Sequence, residues 1–501
     1  MKKGFDFLPK IHKKQSGIGS RRREECDMAE ENRPNVLLVL IDQLRYDVFS
    51  HMGDSVVETP NIDRLASEGV VFTDAICSSP VCGPSRASLL SGCFAFDGAY
   101  VKVNREPEQP APWKRPIQTV DEALTDLGMH VEYHGKWHVG NDHLDCYKGD
   151  EKVFGHHLTD YRDYLAERYT APEVGGDYKF DFYMQWAYRF WDIDQQIEDG
   201  LKDYAIFHTP QAGILEVEDE DTLTAWTAKK TIRFLESKPT TPFAVTCSIL
   251  HPHGPVVANE TYGKMYDPFA MPVPENLDGY WGPGPRYEEK KKPIPEMIPA
   301  DGNGLGQFMA LYYGLVKELD DWVGHLLDAL DNAGLTDDTL VIFTSDHGEM
   351  MGNHNMFGKG VFLEESLRVP LVMRYPKGIQ SGQRLRAPAT GADIGPTILD
   401  YCGGDPLDQF HGHSLRGVIN GGDSETPFAY SEIRNCQCLR STDWKLVIQV
   451  GEPVELFDLA NDPLEMVNLL DEGELSGTAR RAADEMTEIL RERYPFSETG
   501  E

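Results

Sequence analysis

The chain has 501 residues, a hydrophobic fraction of 40% and a formal net charge of −34 at pH 7. That length holds one large domain with an appendage, or two or three ordinary domains, around a sizeable core. The charge argues against nucleic acid and anionic membrane surfaces as partners. No apolar run approaches the length needed to cross a bilayer.

Residues 1–33 are polar and biased toward basic side chains, and they read as a disordered leader. MKKGFDFLPKIHKKQ has no apolar stretch behind its positive charge, which makes it a poor secretory signal. Arg21 and Arg22 are likewise followed by Arg23, Glu24 and Glu25, and Met28 is an alternative start. Nine cysteines without a C-x-x-C pair fit a reducing compartment, so the expected location is the cytoplasm. Cys436 and Cys438 have no matching His or Cys pair, and no zinc site is expected there.

From Asn35 onward apolar strands alternate with helical patterns, which predicts an α/β fold. VLLVLI (36–41) is a buried strand, and NIDRLASEG (61–69) is a short helix closed by Gly69. SRASLLSG (85–92) and VDEALTDLG (120–128) are helices, and PFAVTCSIL (242–250) is a strand. Residues 255–307, rich in Pro and Gly, read as a long ordered loop. GLVKELDDWVGHLLDALDNAG (314–334) is a long amphipathic helix, and TLVIFTSD (339–346) is a second strongly apolar strand. After the helix ADIGPTILDYCG, LRSTDWKLVIQ (439–449) and VELFDLA (454–460) read as paired strands before a charged helix near 475–493. The expected organisation is an α/β domain over 34–424 and a small C-terminal α+β subdomain over 425–501 with an antiparallel sheet. No internal repeat is present.

Two of these strands end in acid: VLLVLI runs into Asp42 and VIFTS into Asp346. Ligands of open α/β sheets bind beyond the carboxyl ends of strands, so the two carboxylates could meet at one cation. His347 and the neutral oxygen of Gln43 lie beside them, a set that suits Ca2+ or Mg2+ and, through the imidazole, Mn2+. Taken singly, a strand-end Asp is more often turn or cap chemistry. In VCGPSRASLLSG (81–92) Pro84 sets a turn and Ser85 is expected to cap the following helix. Cys82 is then expected just before the helix N-terminus with Arg86 one turn along, where dipole and guanidinium favour negative charge. A lone Cys is more often apolar filler. GKWHVG (135–140) places Lys136 and His138 on one side of an extended segment, and HPHGP (251–255) places His253 directly after a strand. DHGEMMGNHNMFGKG (346–360) is a Gly-rich loop ending in Lys359, followed by EESLRVP (364–370). Each of these alone reads as a solvated loop.

In this order, C-x-P-S-R with A-S-L-L-S-G, G-K-W-H-x-G, P-H-x-P, D-H-G-E, G-K-G and E-E-S-x-R-V-P strongly resemble the type I sulfatase family of the alkaline phosphatase superfamily. The resemblance runs from about Asn35 to ELFDLANDPLEMVNL (455–469), apart from 150–240. It implies a large mixed central sheet flanked by helices, with the small C-terminal subdomain. It also implies that Cys82 becomes formylglycine, made by a formylglycine-generating or anaerobic sulfatase-maturating enzyme. A divalent cation, usually Ca2+, would be held by Asp42, Gln43, Asp346, His347 and the formylglycine oxygen. Arg86 and His138 would hold the hydrated aldehyde, Lys136 and Lys359 the sulfate oxygens, and His253 would protonate the leaving alcohol.

Many family members have Asp-Asp and Asp-Asn where this chain has Asp42-Gln43 and Asp346-His347. The variant resembles the branch of choline sulfatases and phosphonate monoester hydrolases, in which Asn104 of YVKVN matches an active-site Asn. CFAFDGAYVKVN lacks the usual Pro and His. The activity implied is hydrolysis of a small anionic sulfate ester, of a sugar or a metabolite, with a phosphonate or phosphate ester as the same-fold alternative. An inactive binding protein is disfavoured, because Cys82 and every charged position are present. A chain expressed where no maturation enzyme acts would instead be a folded metal-binding protein with an unmodified thiol. The aromatic run YKFDFYMQWAYRFW (178–191) reads as core or lid packing rather than a cleft wall.

Overall fold

The computed structural model describes residues 33–54, 56–95, 116–139, 146–147, 159–169, 212–239, 242–280, 303–424 and 426–494. The candidate Asn104, the aromatic run 178–191 and residues 1–32 lie outside these.

Strand Asn35–Asp42 is apolar on both faces because it is central, and every residue after Asn35 is buried. It pairs in parallel with Phe243–Pro252 on one side and Thr339–Ser345 on the other. His130–Gly135 adds a further parallel strand beside Phe243–Pro252. On the opposite side Leu371–Arg374 runs antiparallel to both of its neighbours, Thr339–Ser345 and Val70–Phe72, and Gln383–Leu385 completes the seven-stranded sheet. The sheet is large and mixed, as the resemblance implies.

Strand alternation assigns the helices to faces. Leu37, Val39 and Ile41 pack with Ile62, Leu65, Leu319, Leu326 and Leu330, from helices Pro60–Ser67 and Asn303–Ala333. Val36, Leu38 and Leu40 pack on the other face with Leu89, Val120, Leu124, Ile394 and Ile398, from Cys82–Ser91, Val120–Asp126 and Ile394–Tyr401. Truncating a fully buried leucine such as Leu37 to alanine costs about 2–5 kcal/mol. Among the described residues no helix is long and apolar enough to cross a membrane.

Three expectations are corrected by the fold. The long helix begins at Asn303, eleven residues before the predicted Gly314, and two of its glycines, Gly306 and Gly314, are close-approach sites. A Cβ at Gly306 would lie 2.1 Å from the Pro268 carbonyl oxygen, and one at Gly314 2.3 Å from that of Tyr262. The segment they accommodate is not a plain loop: Val256–Asn259 is a strand, Glu260–Gly263 a helical turn and Pro268–Ala270 a 3-10 turn.

LRSTDWKLVIQ is likewise two strands, not one. Ser441 Oγ accepts from the amides of Asp443 and Trp444, and the chain reverses between Cys436–Arg440 and Trp444–Gln449. With Ala429–Ile433 and Glu452–Asp458 they make a four-stranded antiparallel sheet. Helix Gly477–Arg493 covers it through Ala479, Ala483, Met486 and Leu490. This sheet is tied to EESLRVP by buried charge: Arg440 Nη2 and Lys445 Nζ donate to Glu364 at 2.8 and 3.1 Å. Arg440 also pairs with Asp74 and Lys445 with Glu465, so these buried charges form a network in which each has more than one partner.

Candidate active site

The four parallel strands all point their carboxyl ends at one place. Asn35–Asp42 ends in Asp42 and Thr339–Ser345 leads into Asp346, with Ile41 paired to Ser345. Phe243–Pro252 leads to His253, and His130–Gly135 leads to Lys136. Ser345 knots two of these ends together. Its hydroxyl accepts from the Leu44 amide (3.0 Å) and has the carbonyls of His347 (2.8 Å) and Ile41 (3.0 Å) as acceptors for its one proton.

Asp42, Cys82, Asp346 and His347 are all buried, and one ligand atom from each lies within 4.8 Å of the others. His347 Nε2 is 3.1 Å from Cys82 Sγ, 3.6 Å from Asp42 Oδ1 and 3.5 Å from Asp346 Oδ1. His347 Nδ1 donates to the Gly348 carbonyl at 2.9 Å, which directs the Nε2 lone pair into the cluster.

Cys82 does not precede the helix, as expected, but forms its first residue, with Val81 as an N-cap that makes no side-chain bond. Ser85 is not the cap either. Its hydroxyl donates to the Asp346 carbonyl at 2.5 Å, anchoring the helix to the strand end that carries the second carboxylate. A second correction concerns Lys136 and His138. They reach the same cluster, but not by alternation on an extended segment, because φ is 102° at Gly135 and 61° at His138 and the chain turns between strand and site.

Of the surrounding cations Arg86 and Lys136 are buried and Lys359 is partly buried. Arg86 Nε donates to Asp346 Oδ2 at 2.7 Å, and Nη1 donates to the Lys136 carbonyl and Ser248 Oγ, both at 2.8 Å. The guanidinium thus holds the carboxylates and the Lys136 backbone rather than reaching out of the pocket. Lys136 Nζ is paired with Asp42 Oδ2, and Lys359 Nζ donates to Gln43 Oε1 at 2.5 Å. Burial and Cys82 raise the Asp42 pKa, but Lys136, His253 and Arg86 outweigh them and hold it below the usual carboxylate range. Burial pushes the Cys82 thiol up. Lys136, Lys359 and His347, with a hydrogen bond to His138, overcome that and hold it well below the usual thiol range.

His253 is half-buried, and its Nδ1 donates to the Gly254 carbonyl at 2.6 Å, leaving Nε2 as the atom that can exchange a proton. Three further supports are absent from the sequence reading: the Tyr133 hydroxyl donates to the Lys136 carbonyl at 2.7 Å, Ser248 accepts from Arg86, and Glu349 accepts from Gln43 Nε2. Ser248 carried little signal, since Thr246 and His251 are polar in the same buried strand, whereas Glu349 lies within D-H-G-E.

The fold thus places a buried thiol, two carboxylates and an imidazole together at the carboxyl ends of the central strands of an α/β sheet, an arrangement suited to an ester hydrolase. A family model described as Sulfatase matches residues 34–404, and one described as N-sulphoglucosamine sulphohydrolase, C-terminal, matches 352–492. The chain is 29% identical to an arylsulfatase of Clostridium perfringens, over 88% of this chain and 91% of that one. It is 27% identical to a choline-sulfatase of Rhizobium meliloti, over 88% and 83%. The crystal structure of the phosphonate monoester hydrolase of Agrobacterium radiobacter superposes with a TM-score of 0.72 at 26% identity, over 93% of this chain and 99% of that one. The chain belongs to the sulfatase family, within the alkaline phosphatase superfamily, and is a sulfuric ester hydrolase.

Proposed function

We propose that the protein cleaves the sulfate ester of a sugar or small metabolite, with the residue made from Cys82 as nucleophile. The observation that carries this is the position of Cys82 Sγ, 3.1 Å from His347 Nε2 and 3.7 Å from Asp42 Oδ1 and enclosed by cations. Two carboxylates and an imidazole presenting Nε2 suit a hard divalent cation, Ca2+ first, with Mg2+ and Mn2+ as alternatives. Asp42, Asp346, His347 and the residue at 82 would hold it, with Gln43 beside them.

Such a cation would polarise the sulfuryl oxygens, and a formylglycine hydrate would supply one hydroxyl for attack and a second for release. The chain's own residues do the rest. Lys136 and Lys359 supply the local positive field that a substrate anion needs on a molecule of net charge −34. Arg86 fixes the separation of the two carboxylates. His253 Nε2 gives the leaving alcohol its proton. The arylsulfatase and choline-sulfatase relatives support a sulfate ester as substrate.

A second reading, a phosphonate monoester substrate, is favoured by the Agrobacterium radiobacter likeness and by the Gln43 and His347 variant. The test is protein co-expressed with a maturation enzyme, analysed by peptide mass at position 82 and assayed on aryl sulfate and phenyl phosphonate before and after chelation. Formylglycine at 82, loss of activity on chelation and a higher kcat/KM for the sulfate are expected. Active enzyme carrying only unmodified Cys82 would overturn the nucleophile, and a higher kcat/KM for the phosphonate would overturn the ester.

A further inference from the structure

Gln43 is the first residue beyond the central strand and has φ 64°, a left-handed backbone that a non-glycine residue keeps only where its surroundings hold it. Its amide donates to Asp346 Oδ1 at 3.1 Å, and its carbonyl accepts from the Tyr312 hydroxyl at 2.7 Å. The side-chain amide lies between two groups of opposite hydrogen-bonding sense. Nε2 donates to Glu349 Oε2, and Oε1 accepts from Lys359 Nζ. A carboxylate only accepts and an ammonium only donates, so one of the two amide orientations satisfies both and its flip satisfies neither.

Glu349 is 1% exposed. Its other oxygen accepts from the amides of Met351 (3.1 Å) and Gly358 (2.5 Å). Both residues have positive φ, 46° and 76°, so the same carboxylate clamps the two ends of the turn that leads into Lys359. Lys359 in turn reaches Cys82, which raises the lysine's pKa against its burial.

We propose that Glu349 is a positioning residue for the sulfate group: by fixing the Gln43 amide it aims Lys359 at the ester bound beside Cys82. The proposal rests on the sulfate-ester reading of that site. Glu349→Gln keeps size and shape but can donate, so Gln43 can turn over and set its own NH2 against the lysine ammonium. Calorimetry with inorganic sulfate on the matured, metal-loaded enzyme measures the effect apart from turnover. The expected result is a sulfate affinity about tenfold weaker in E349Q, the scale of one misdirected hydrogen bond to a charged group. KM for an aryl sulfate should rise in step while the unfolding midpoint shifts by no more than a few degrees.

In a Lys359→Met background the same change should weaken sulfate binding no further, since the group through which it acts is gone. Wild-type sulfate affinity in E349Q would overturn the proposal, as would an equal loss with and without Lys359. Should E349Q fail to fold, Gln43→Met removes the amide and leaves Glu349 in place; unchanged sulfate affinity there overturns it equally. A wild-type enzyme that bound no sulfate would instead reject the sulfate-ester reading itself, a distinct result.

Discussion

Arg86 Nε lies 2.7 Å from Asp346 Oδ2 while the same guanidinium reaches Asp42 Oδ2 at 3.4 Å, and none of the three side chains is exposed. Burial disfavours the guanidinium charge, and the two carboxylates outweigh it. A planar fork can serve both acids and the Lys136 carbonyl together, and an ammonium cannot. Arg86→Lys should therefore lower kcat/KM by roughly 100-fold or more and cost about 3–5 kcal/mol in urea unfolding, the scale of a broken buried pair. A lysine variant with near-normal activity and stability would show that one charge suffices there.

His253→Ala should slow esters of poor leaving groups far more than activated aryl esters. Nδ1 is committed to the Gly254 carbonyl, so only Nε2 can deliver a proton. An aryl oxide leaves without that help and a sugar alkoxide does not, so the loss should grow with leaving-group pKa across a substrate series. An equal loss on every substrate would make His253 a sulfate-binding group.

Cys82→Ser, without oxidation of the serine, should react once and stop. The hydroxyl would occupy the same first helical position among the same cations and could attack sulfur. Serine has no second hydroxyl with which to expel the sulfate, so the ester should persist on the peptide containing position 82. Intact-peptide mass after incubation with an activated aryl sulfate reads this directly. Sustained turnover by the unmodified serine variant would rule out release through a hydrate.

Glu318 of helix Asn303–Ala333 is fully buried, and burial raises its pKa to about 8 against the hydrogen bonds of Thr222 and Thr224. Between the ordinary carboxyl value of 4.5 and about 8, the folded chain keeps a proton that the unfolded chain has released. Stability attributable to this group is thus greatest below pH 4.5, falls as pH rises toward 8, and is level beyond. Glu318→Gln removes that slope. Its advantage over wild type in urea unfolding should grow from pH 5 to pH 8, reaching on the order of a few kcal/mol. A difference that does not change with pH would mean that Glu318 is ionised in the fold.

The central strands were legible because burial on both faces leaves an unbroken apolar run, and the acids at their ends stood out against it. The outer strands were not. Val70–Phe72, Leu371–Arg374 and Gln383–Leu385 span only three or four residues, too few to show a period, and His130–Gly135 carries two histidines and a glutamate. Asp42, Cys82, Asp346 and His347 are legible through the ordered motifs that carry the family resemblance, and the fold brings them together. What the side chains hold was less readable. Ser85 looked like a cap because sequence shows neighbours along the chain and not the Asp346 carbonyl that arrives from another strand. The buried pairing of Arg440 and Lys445 with Glu364 leaves no mark in the sequence, because the acid lies 76 and 81 positions away.

The C-x-P-S-R stretch lies inside the fold: Cys82 is 4% exposed, Ser85 1% and Arg86 not at all. A second enzyme acting on that segment, as the proposed conversion of Cys82 requires, would need it outside the helix and the two strand ends. Under that proposal the conversion precedes closure of the sheet, and the imidazole that lies against the thiol comes 265 positions later in the chain. At about 5–20 residues per second of synthesis, that separation corresponds to roughly 10–50 s in which residue 82 exists and its cover does not. A maturation catalyst supplied after this interval would meet a finished protein with its thiol already sealed in.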